Sequence, residues 1–134
     1  MRTTVLIVDD HAGFRRFARR LLEDSGYVVV GEAADGESAC AAADRLRPDA
    51  VLLDLLLPDT SGIDILKRVK DNKYLKATPV VVLTTTDDSH EIKRCYELGC
   101  NVYITKPVNY ESFANAIRQL GLFFSVIQVP PAAT

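Results

Sequence analysis

The chain has 134 residues and a formal net charge of -2. This length favours a single domain, and the charge balance argues against non-specific binding to nucleic acid. Hydrophobic residues make up 48% of the sequence and charged residues 25%, which excludes a chain that is disordered over most of its length.

Neither the cysteines nor the apolar segments indicate export or membrane insertion. Cys40, Cys95 and Cys100 form neither an even disulfide set nor a paired C-x-x-C motif, so we interpret them as reduced, packed residues rather than metal ligands. The apolar run near the N-terminus has four residues, too few for a secretory signal, and no segment has the length of a membrane span. We therefore expect a cytoplasmic protein that does not bind membranes.

Five short runs of apolar, largely β-branched residues predict strands that are buried on both faces. In chain order they occupy residues 5–8, 27–32, 50–54, 79–84 and 101–105.

The segments between these strands have a helical period. In the first, Phe14, Phe17, Ala18, Leu21 and Leu22 share one face, and four arginines, Arg15, Arg16, Arg19 and Arg20, are expected on the solvated face. The second helix covers residues 36–47, and the third covers residues 63–72. The fourth, residues 89–98, is predicted to lie between a cap at Asp88 and a left-handed Gly99, and the fifth to begin near Tyr110 after a cap at Asn109.

Strands and helices that alternate five times predict an α/β fold. Right-handed β-α-β crossovers give a doubly wound, five-stranded parallel sheet with five helices on its two faces, the flavodoxin-like arrangement. Ligands of such sheets bind outside the carboxyl ends of the strands, where the strand order reverses.

Three acids are predicted to lie at this edge. Asp9 and Asp10 follow the first strand, and Asp54 ends the third. Carboxylates that are close together and partly desolvated repel each other unless a cation is present, and hard oxygen ligands suit Mg²⁺. Thr84 at the end of the fourth strand and Lys106 after the fifth add a hydroxyl and an ammonium group, both of which can bind phosphoryl oxygens.

Taken together, these motifs resemble the receiver domain of two-component response regulators. The matching features are "VDD" at residues 8–10, "LLDLLLPDTSG" around Asp54, Thr84 closing "VVVLT", and "YITKP" at residues 103–107. The resemblance extends from about residue 4 to about residue 120. It implies a receiver domain over residues 1–121, followed by an apolar extension over residues 122–134.

The resemblance also implies a role for each site residue. Asp54 would accept a phosphoryl group from the phosphohistidine of a sensor histidine kinase. Asp10, Asp54 and the backbone carbonyl of Leu56 would bind Mg²⁺, and Asp9 would act mostly through a metal-bound water. The domain would be a signalling switch whose only chemistry is its own phosphorylation and dephosphorylation.

The remaining implied roles concern the response to phosphorylation. Lys106 would pair with the phosphoryl oxygens or with Asp54, and Thr84 would move toward the phosphoryl group. Tyr103 would turn inward with Thr84, and the bond before Pro107 would be cis. The surface of the fourth helix, fifth strand and fifth helix would change as a result.

Two alternative functions are a metal-dependent phosphatase and a receiver-like binding module that is never phosphorylated. Aspartyl-phosphate hydrolases usually carry a second acid two residues after the nucleophile, whereas Leu56 occupies that position here. The complete set of site residues argues against the unphosphorylated module.

The C-terminal segment predicts an interaction. Phe113, Ile117, Leu120, Phe124 and Ile127 continue one helical stripe past Gly121, and further apolar residues lie on the other faces. A helix that is apolar nearly all round has to be covered, so we expect a homodimer or a partner-binding surface, the alternative being a segment that folds back or forms an extended arm. This half resembles single-domain regulators of bacterial phytochrome-type kinases. The N-terminal half resembles receivers attached to helix-turn-helix factors. We favour a stand-alone receiver, the alternative being a fragment of a longer regulator.

Overall fold

The computed structural model describes residues 3–85, 88–106 and 109–127, without the side chains of Tyr110 and residues 120–127. The predicted bond before Pro107 lies outside this part of the chain. Five strands alternate with five helices, as the sequence predicts. The strands are β1 (Thr4–Val8), β2 (Val28–Ala33), β3 (Ala50–Asp54), β4 (Val80–Thr84) and β5 (Val102–Thr105). The helices are α1 (Ala12–Asp24), α2 (Gly36–Leu46), α3 (Gly62–Asp71), α4 (Ser89–Glu97) and α5 (Tyr110–Ile127).

The five strands form one parallel sheet in the order β2-β1-β3-β4-β5. Because the chain moves to one side of β1 for β2 and to the other side for β3, the order reverses between β1 and β3. This confirms the doubly wound fold and places the switch point between the strands that end next to Asp9 and at Asp54.

Alternate strand residues point to opposite faces of the sheet and form two apolar cores. One core lies under α1 and α5 and includes Ile7, Leu52, Ile104 and the fully buried Phe113. The other lies under α2, α3 and α4 and includes Val8, Leu53, Val82, Leu66 and Cys95. Both faces of the central strands are covered, which explains their continuous apolar sequences.

The predicted helix caps are present. The side chain of Asp88 accepts a hydrogen bond from the backbone N–H of His90, and that of Asn109 accepts one from Ser112. Gly99 has a φ of 104°, the left-handed conformation expected of a residue that ends a helix. These caps fix the two ends of α4 and the beginning of α5.

Within the described residues, no helix is long and apolar enough to span a membrane.

Candidate functional site

Two buried acids lie at neighbouring strand ends. Asp9 directly follows β1 and is 0% exposed, and Asp54 is the last residue of β3 and is 2% exposed. Because β1 and β3 are paired in parallel with Val8 opposite Leu53, their carboxyl ends bring these two carboxyl groups to one place. Carboxylates so deeply buried require compensating charge or hydrogen bonds.

Lys106 provides part of that compensation. Its Nζ lies 2.6 Å from Asp9 Oδ2 and 3.3 Å from Asp54 Oδ2. The backbone N–H of Lys106 donates to the carbonyl of Thr84 at 2.7 Å, which holds the residue at the edge of the sheet beyond β5. The ammonium group also lies 4.8 Å from the centroid of the Phe14 ring, so α1 limits its position as well.

The third acid, Asp10, is more open to solvent. Its side chain is 34% exposed, and its Oδ1 lies 3.0 Å from Nδ1 of His11. Asp9, Asp10, His11 and Asp54 each offer a ligand atom, and these atoms all lie within 4.8 Å of one another. Three carboxylates in one cleft are the donor set that hard divalent cations such as Mg²⁺ prefer, so the residues present fit such an ion.

The carboxylate oxygens differ in how far they are already engaged. Asp9 Oδ1 accepts from the backbone N–H of His11 at 2.9 Å, and its Oδ2 accepts from Lys106. Asp54 Oδ1 accepts from the backbone N–H of Leu56 at 3.1 Å. Asp54 Oδ2 accepts from Lys106 at 3.3 Å, so Asp9 and Asp54 each accept hydrogen bonds through both oxygens, and those of Asp54 are longer. Asp10 has free coordination capacity at the open side of the cluster.

The loop after β3 is held close to Asp54 by its backbone. The N–H of Gly62 donates to the carbonyl of Leu55 at 2.8 Å, and a β-bridge joins Leu56 to Ser61. A Cβ at Gly62 would stand 2.5 Å from the Cα of Leu55, so only glycine allows this close approach. The backbone of Leu56 is thus kept beside the cluster, while its side chain, in a residue 60% exposed, contacts solvent.

Burial decides the proton affinity of Asp54. Removal from water raises the pKa of its carboxyl group, and the nearby charge of Asp9 adds to this effect. The Leu56 N–H and Lys106 act in the opposite direction but do not cancel the effect of burial, so the pKa remains raised. A divalent cation would favour the ionised form, which is the nucleophilic one.

Thr84 and Tyr103 form a pair on the other side of this edge. Thr84 ends β4 and is 1% exposed, and a side-chain hydrogen bond joins it to Tyr103 on β5. Tyr103 packs against the core under α2, α3 and α4, and burial raises its pKa to about 12. The structure therefore places five residues at the carboxyl edge of the sheet, namely Asp9, Asp10, Asp54, Thr84 and Lys106. Tyr103 is hydrogen-bonded to Thr84.

The sequence predicted that the four arginines of α1 share one solvated face, but the structure divides them into two pairs. Arg16 and Arg20 are exposed, but Arg15 and Arg19 are half-buried and pair with Glu32 of β2. Arg15 also donates to the backbone carbonyl of Asp9 at 2.6 Å. Sequence periodicity did not predict that Arg15 and His11 lie at the acidic cluster. Their position at the start of α1, next to Asp9 and Asp10, was a signal that could have indicated it.

The cysteines lie outside the acidic cluster. Cys95 and Cys100 are buried in the core, and burial raises the pKa of the Cys100 thiol to about 12, so this group stays protonated and unreactive at neutral pH.

Comparison with known proteins agrees with this geometry. The response regulator receiver domain family matches residues 5–118. A crystal structure of a response regulator receiver domain from Rhodospirillum rubrum is 52% identical, with a TM-score of 0.73, and the match covers 95% of this chain and 96% of that one.

Two curated relatives differ in length. The polar-differentiation response regulator DivK of Brucella anthropi is 33% identical, over 88% of this chain and 95% of DivK. The transcriptional regulatory protein YdfI of Bacillus subtilis is 38% identical, over 81% of this chain, and the match spans only 50% of YdfI. The chain belongs to the response regulator receiver domain family, whose members serve as phospho-accepting signalling domains in two-component systems.

Proposed function

We propose that Asp54 accepts a phosphoryl group from the phosphohistidine of a sensor histidine kinase. The observation that carries this proposal is the position of Asp54: a buried carboxylate at the switch point, 3.3 Å from the Lys106 ammonium and beside Asp9 and Asp10. Lys106 holds Asp9 more closely than Asp54, at 2.6 Å against 3.3 Å, and Asp10 is the more solvated group. Burial raises the pKa of Asp54, which makes its carboxylate a stronger nucleophile once a cation holds it ionised.

The same cluster would hold Mg²⁺. Asp10, Asp54 and the backbone carbonyl of Leu56 would be direct ligands. Asp9 would act through a metal-bound water, because its hydrogen bonds, at 2.9 and 2.6 Å, are shorter than those of Asp54, at 3.1 and 3.3 Å. The ion supplies positive charge that neutralises the oxygens of the transferred group.

Phosphoryl transfer at this site requires positioning more than acid-base chemistry. An Asp54 carboxylate oxygen forms a bond to phosphorus as the bond to the imidazole nitrogen of the donor breaks. Lys106 then exchanges its contact with Asp54 for one with a phosphoryl oxygen, while its contact with Asp9 keeps the ammonium in place. The chemistry of the chain would be limited to accepting and losing this group.

We further propose that Thr84 and Tyr103 convert the phosphorylation into a change of surface. A phosphoryl group adds about -1.5 to -2 charge and three acceptor oxygens, to which the Thr84 hydroxyl can donate. The existing hydrogen bond between Thr84 and Tyr103 supports their coupling. Movement of this pair would alter the surface formed by α4, β5 and α5.

A hydrolase is the weaker reading of this site. The residue two positions after Asp54 is Leu56, whose exposed apolar side chain can neither activate water nor protonate a leaving group.

The partner and domain assignments remain part of the proposal. We propose that the protein is cytoplasmic and that its phosphoryl donor is a sensor histidine kinase of the phytochrome type. We further propose a receiver domain over residues 1–121 and a homodimer formed through residues 122–134. Helix α5 continues to Ile127, but the side chains expected to form the dimer contact lie outside the described residues. Deletion of residues 122–134 should lower the mass measured by light scattering; an unchanged oligomeric state and solubility would contradict the dimer.

Phosphorylation of Asp54 can be tested directly. The protein is incubated with Mg²⁺ and acetyl phosphate, and intact mass is measured. We expect a gain of one phosphoryl group that Asp54→Asn abolishes and that Asp44→Asn, an exposed acid on α2, leaves unchanged. Labelling that persists in Asp54→Asn would refute this residue as the acceptor. A complete lack of labelling, in conditions that label another receiver domain, would favour the unphosphorylated binding module.

A further inference from the structure

His11 is the one member of the ligand cluster to which no role has been assigned. It caps the N-terminus of α1, yet its side chain makes no capping hydrogen bond, and that side chain is 72% exposed. Its backbone N–H holds Asp9 Oδ1 at 2.9 Å. The main chain of His11 thus has a structural function, whereas the imidazole is not needed to begin the helix.

The imidazole is nevertheless directed at the acids. Nδ1 lies 3.0 Å from Asp10 Oδ1 and 3.4 Å from Asp9 Oδ1. His11 is also one of the four residues whose ligand atoms all lie within 4.8 Å of one another. Neighbouring ligands of an octahedral ion, each at about 2.1 Å, are about 3 Å apart. The 3.0 Å between His11 Nδ1 and Asp10 Oδ1, which also suits a hydrogen bond, therefore allows both atoms to bind one ion.

The chemistry of the ligand decides which ion benefits. Mg²⁺ takes oxygen ligands and keeps several waters, so an imidazole nitrogen adds little to its binding. Divalent transition ions such as Mn²⁺, Co²⁺, Ni²⁺ and Zn²⁺ accept imidazole readily, and carboxylates suit Mn²⁺ as well. Within the described residues, His11 is the member of the ligand cluster that offers a nitrogen beside the carboxylates of Asp10 and Asp54.

We propose that His11 Nδ1 is a direct ligand of the cation at the acidic cluster and makes this site selective for a divalent transition ion over Mg²⁺. This inference rests on the metal site of the proposed function and deepens it. The imidazole and Asp10, with side chains 72% and 34% exposed, would hold the ion at the open side of the cluster, and Lys106 lies between Asp9 and Asp54.

The test uses Mn²⁺ as the probe at one fixed, mildly alkaline pH. Pulsed electron paramagnetic resonance of the Mn²⁺-loaded protein detects an imidazole nitrogen bound to the ion. We expect this nitrogen coupling in the wild type and in His90→Gln, which changes the only other histidine, and its loss in His11→Gln. His11→Gln should fold because the backbone bond to Asp9 remains and the replaced side chain is exposed.

Affinities measured by calorimetry provide the second readout. His11→Gln should weaken Mn²⁺ binding by at least about tenfold, the lower end of the loss seen when a residue supporting a metal site is changed. Mg²⁺ binding should remain within about twofold. Bound Mn²⁺ without nitrogen coupling in the wild type, or equal weakening of both ions in His11→Gln, would overturn the inference and leave the proposed function intact. A wild type that binds neither ion would overturn the metal site itself.

Discussion

The residues of the candidate site follow strand residues from the two opposite faces of the sheet. Asp9, Asp54 and Lys106 each stand two residues after a strand residue of the core under α1 and α5, namely Ile7, Leu52 and Ile104. Thr84 instead stands two residues after Val82, and Tyr103 is paired in register with Val82; both positions belong to the core under α2, α3 and α4.

This difference separates the Lys106 contacts from the proposed switch pair. The face under α1 and α5 aligns Asp9 and Asp54 with Lys106, and the opposite face aligns the Thr84–Tyr103 pair that would respond. Asp10, two residues after Val8, shares the parity of Thr84, so the proposed cation ligands come from both faces. Thr84 connects the faces, because its carbonyl accepts from the Lys106 N–H while its side chain is bonded to Tyr103. A change at Asp54 thus has a short physical route through the edge of the sheet to β5.

The largest expected effect is the loss of stability that follows a loss of packing on the face of the sheet under α1 and α5. Phe113 is fully buried and stacks on Phe14, whose ring lies against Lys106. Phe113→Ala should lower the free energy of unfolding by about 3–5 kcal/mol in urea titrations. Leu66→Ala, fully buried on the opposite face, should cost about 2–5 kcal/mol. Phe113→Ala should also shift the NMR signal of the Lys106 ammonium; an equal shift in Leu66→Ala would contradict the separation of the two faces.

Removal of the Lys106 ammonium group tests the charge balance around Asp9 and Asp54. Lys106→Met leaves the buried carboxylates of Asp9 and Asp54 without their shared partner, so stability should fall by about 3 kcal/mol at neutral pH without divalent ions. Added Mg²⁺ should restore part of this loss. Lys93→Met, which changes an exposed residue of α4, is the control and should alter stability little. A Lys106→Met protein as stable as the wild type would show that the two acids are not both ionised.

Without a divalent ion, the ionised side chain of Asp54 should lower the stability of the folded state. Its pKa is raised in the folded state, mainly by burial, so the unfolded chain releases the proton at lower pH and the ionised group destabilises the native state near neutrality. Asp54→Asn should therefore raise the free energy of unfolding at pH 7. The difference should shrink as the pH falls through the raised pKa, which urea titrations at several pH values can follow. A difference that grows toward acid pH would reverse the assigned sign.

The smallest effect is expected from a change at Tyr103, on the face of the sheet under α2, α3 and α4. Tyr103→Phe keeps the ring and removes its hydrogen bond to Thr84, so stability should fall by about 0.5–1.5 kcal/mol while labelling of Asp54 is retained. Because the pKa of Tyr103 is raised to about 12, the unfolded chain loses this proton first, and wild-type stability should fall as the pH rises from about 10 to about 12. Absorbance of the tyrosinate identifies the group, and Tyr103→Phe should remove that part of the pH dependence.

Most of the fold was predictable because each element carries its own local signal. Continuous β-branched runs marked the five strands, and the observed bounds differ from the predicted ones by about one residue; β2, for example, begins at Val28 rather than Tyr27. Asp88, Gly99 and Asn109 were recognisable as helix ends because capping depends on residues adjacent in sequence. The acids of the site were found because strand ends in a parallel sheet meet at one edge.

Partners from distant parts of the chain were not predictable in the same way. The division of the α1 arginines depends on Glu32, a residue of β2 that faces Arg15 and Arg19 only in the folded sheet. The proximity of the His11 imidazole to Asp10 depends on a side-chain orientation, about which periodicity says nothing.

The amino-acid sequence by itself determined the order of the elements, the parallel sheet, and the gathering of Asp9, Asp10, Asp54, Thr84 and Lys106 at its carboxyl edge. These follow from short-range patterns and from the handedness of β-α-β connections. Only the tertiary structure decided which atoms meet: the Lys106 ammonium between Asp9 and Asp54, Thr84 bonded to Tyr103, and His11 beside Asp10. Such contacts form between side chains far apart in sequence, or turn on a single side-chain rotation, and packing alone selects them.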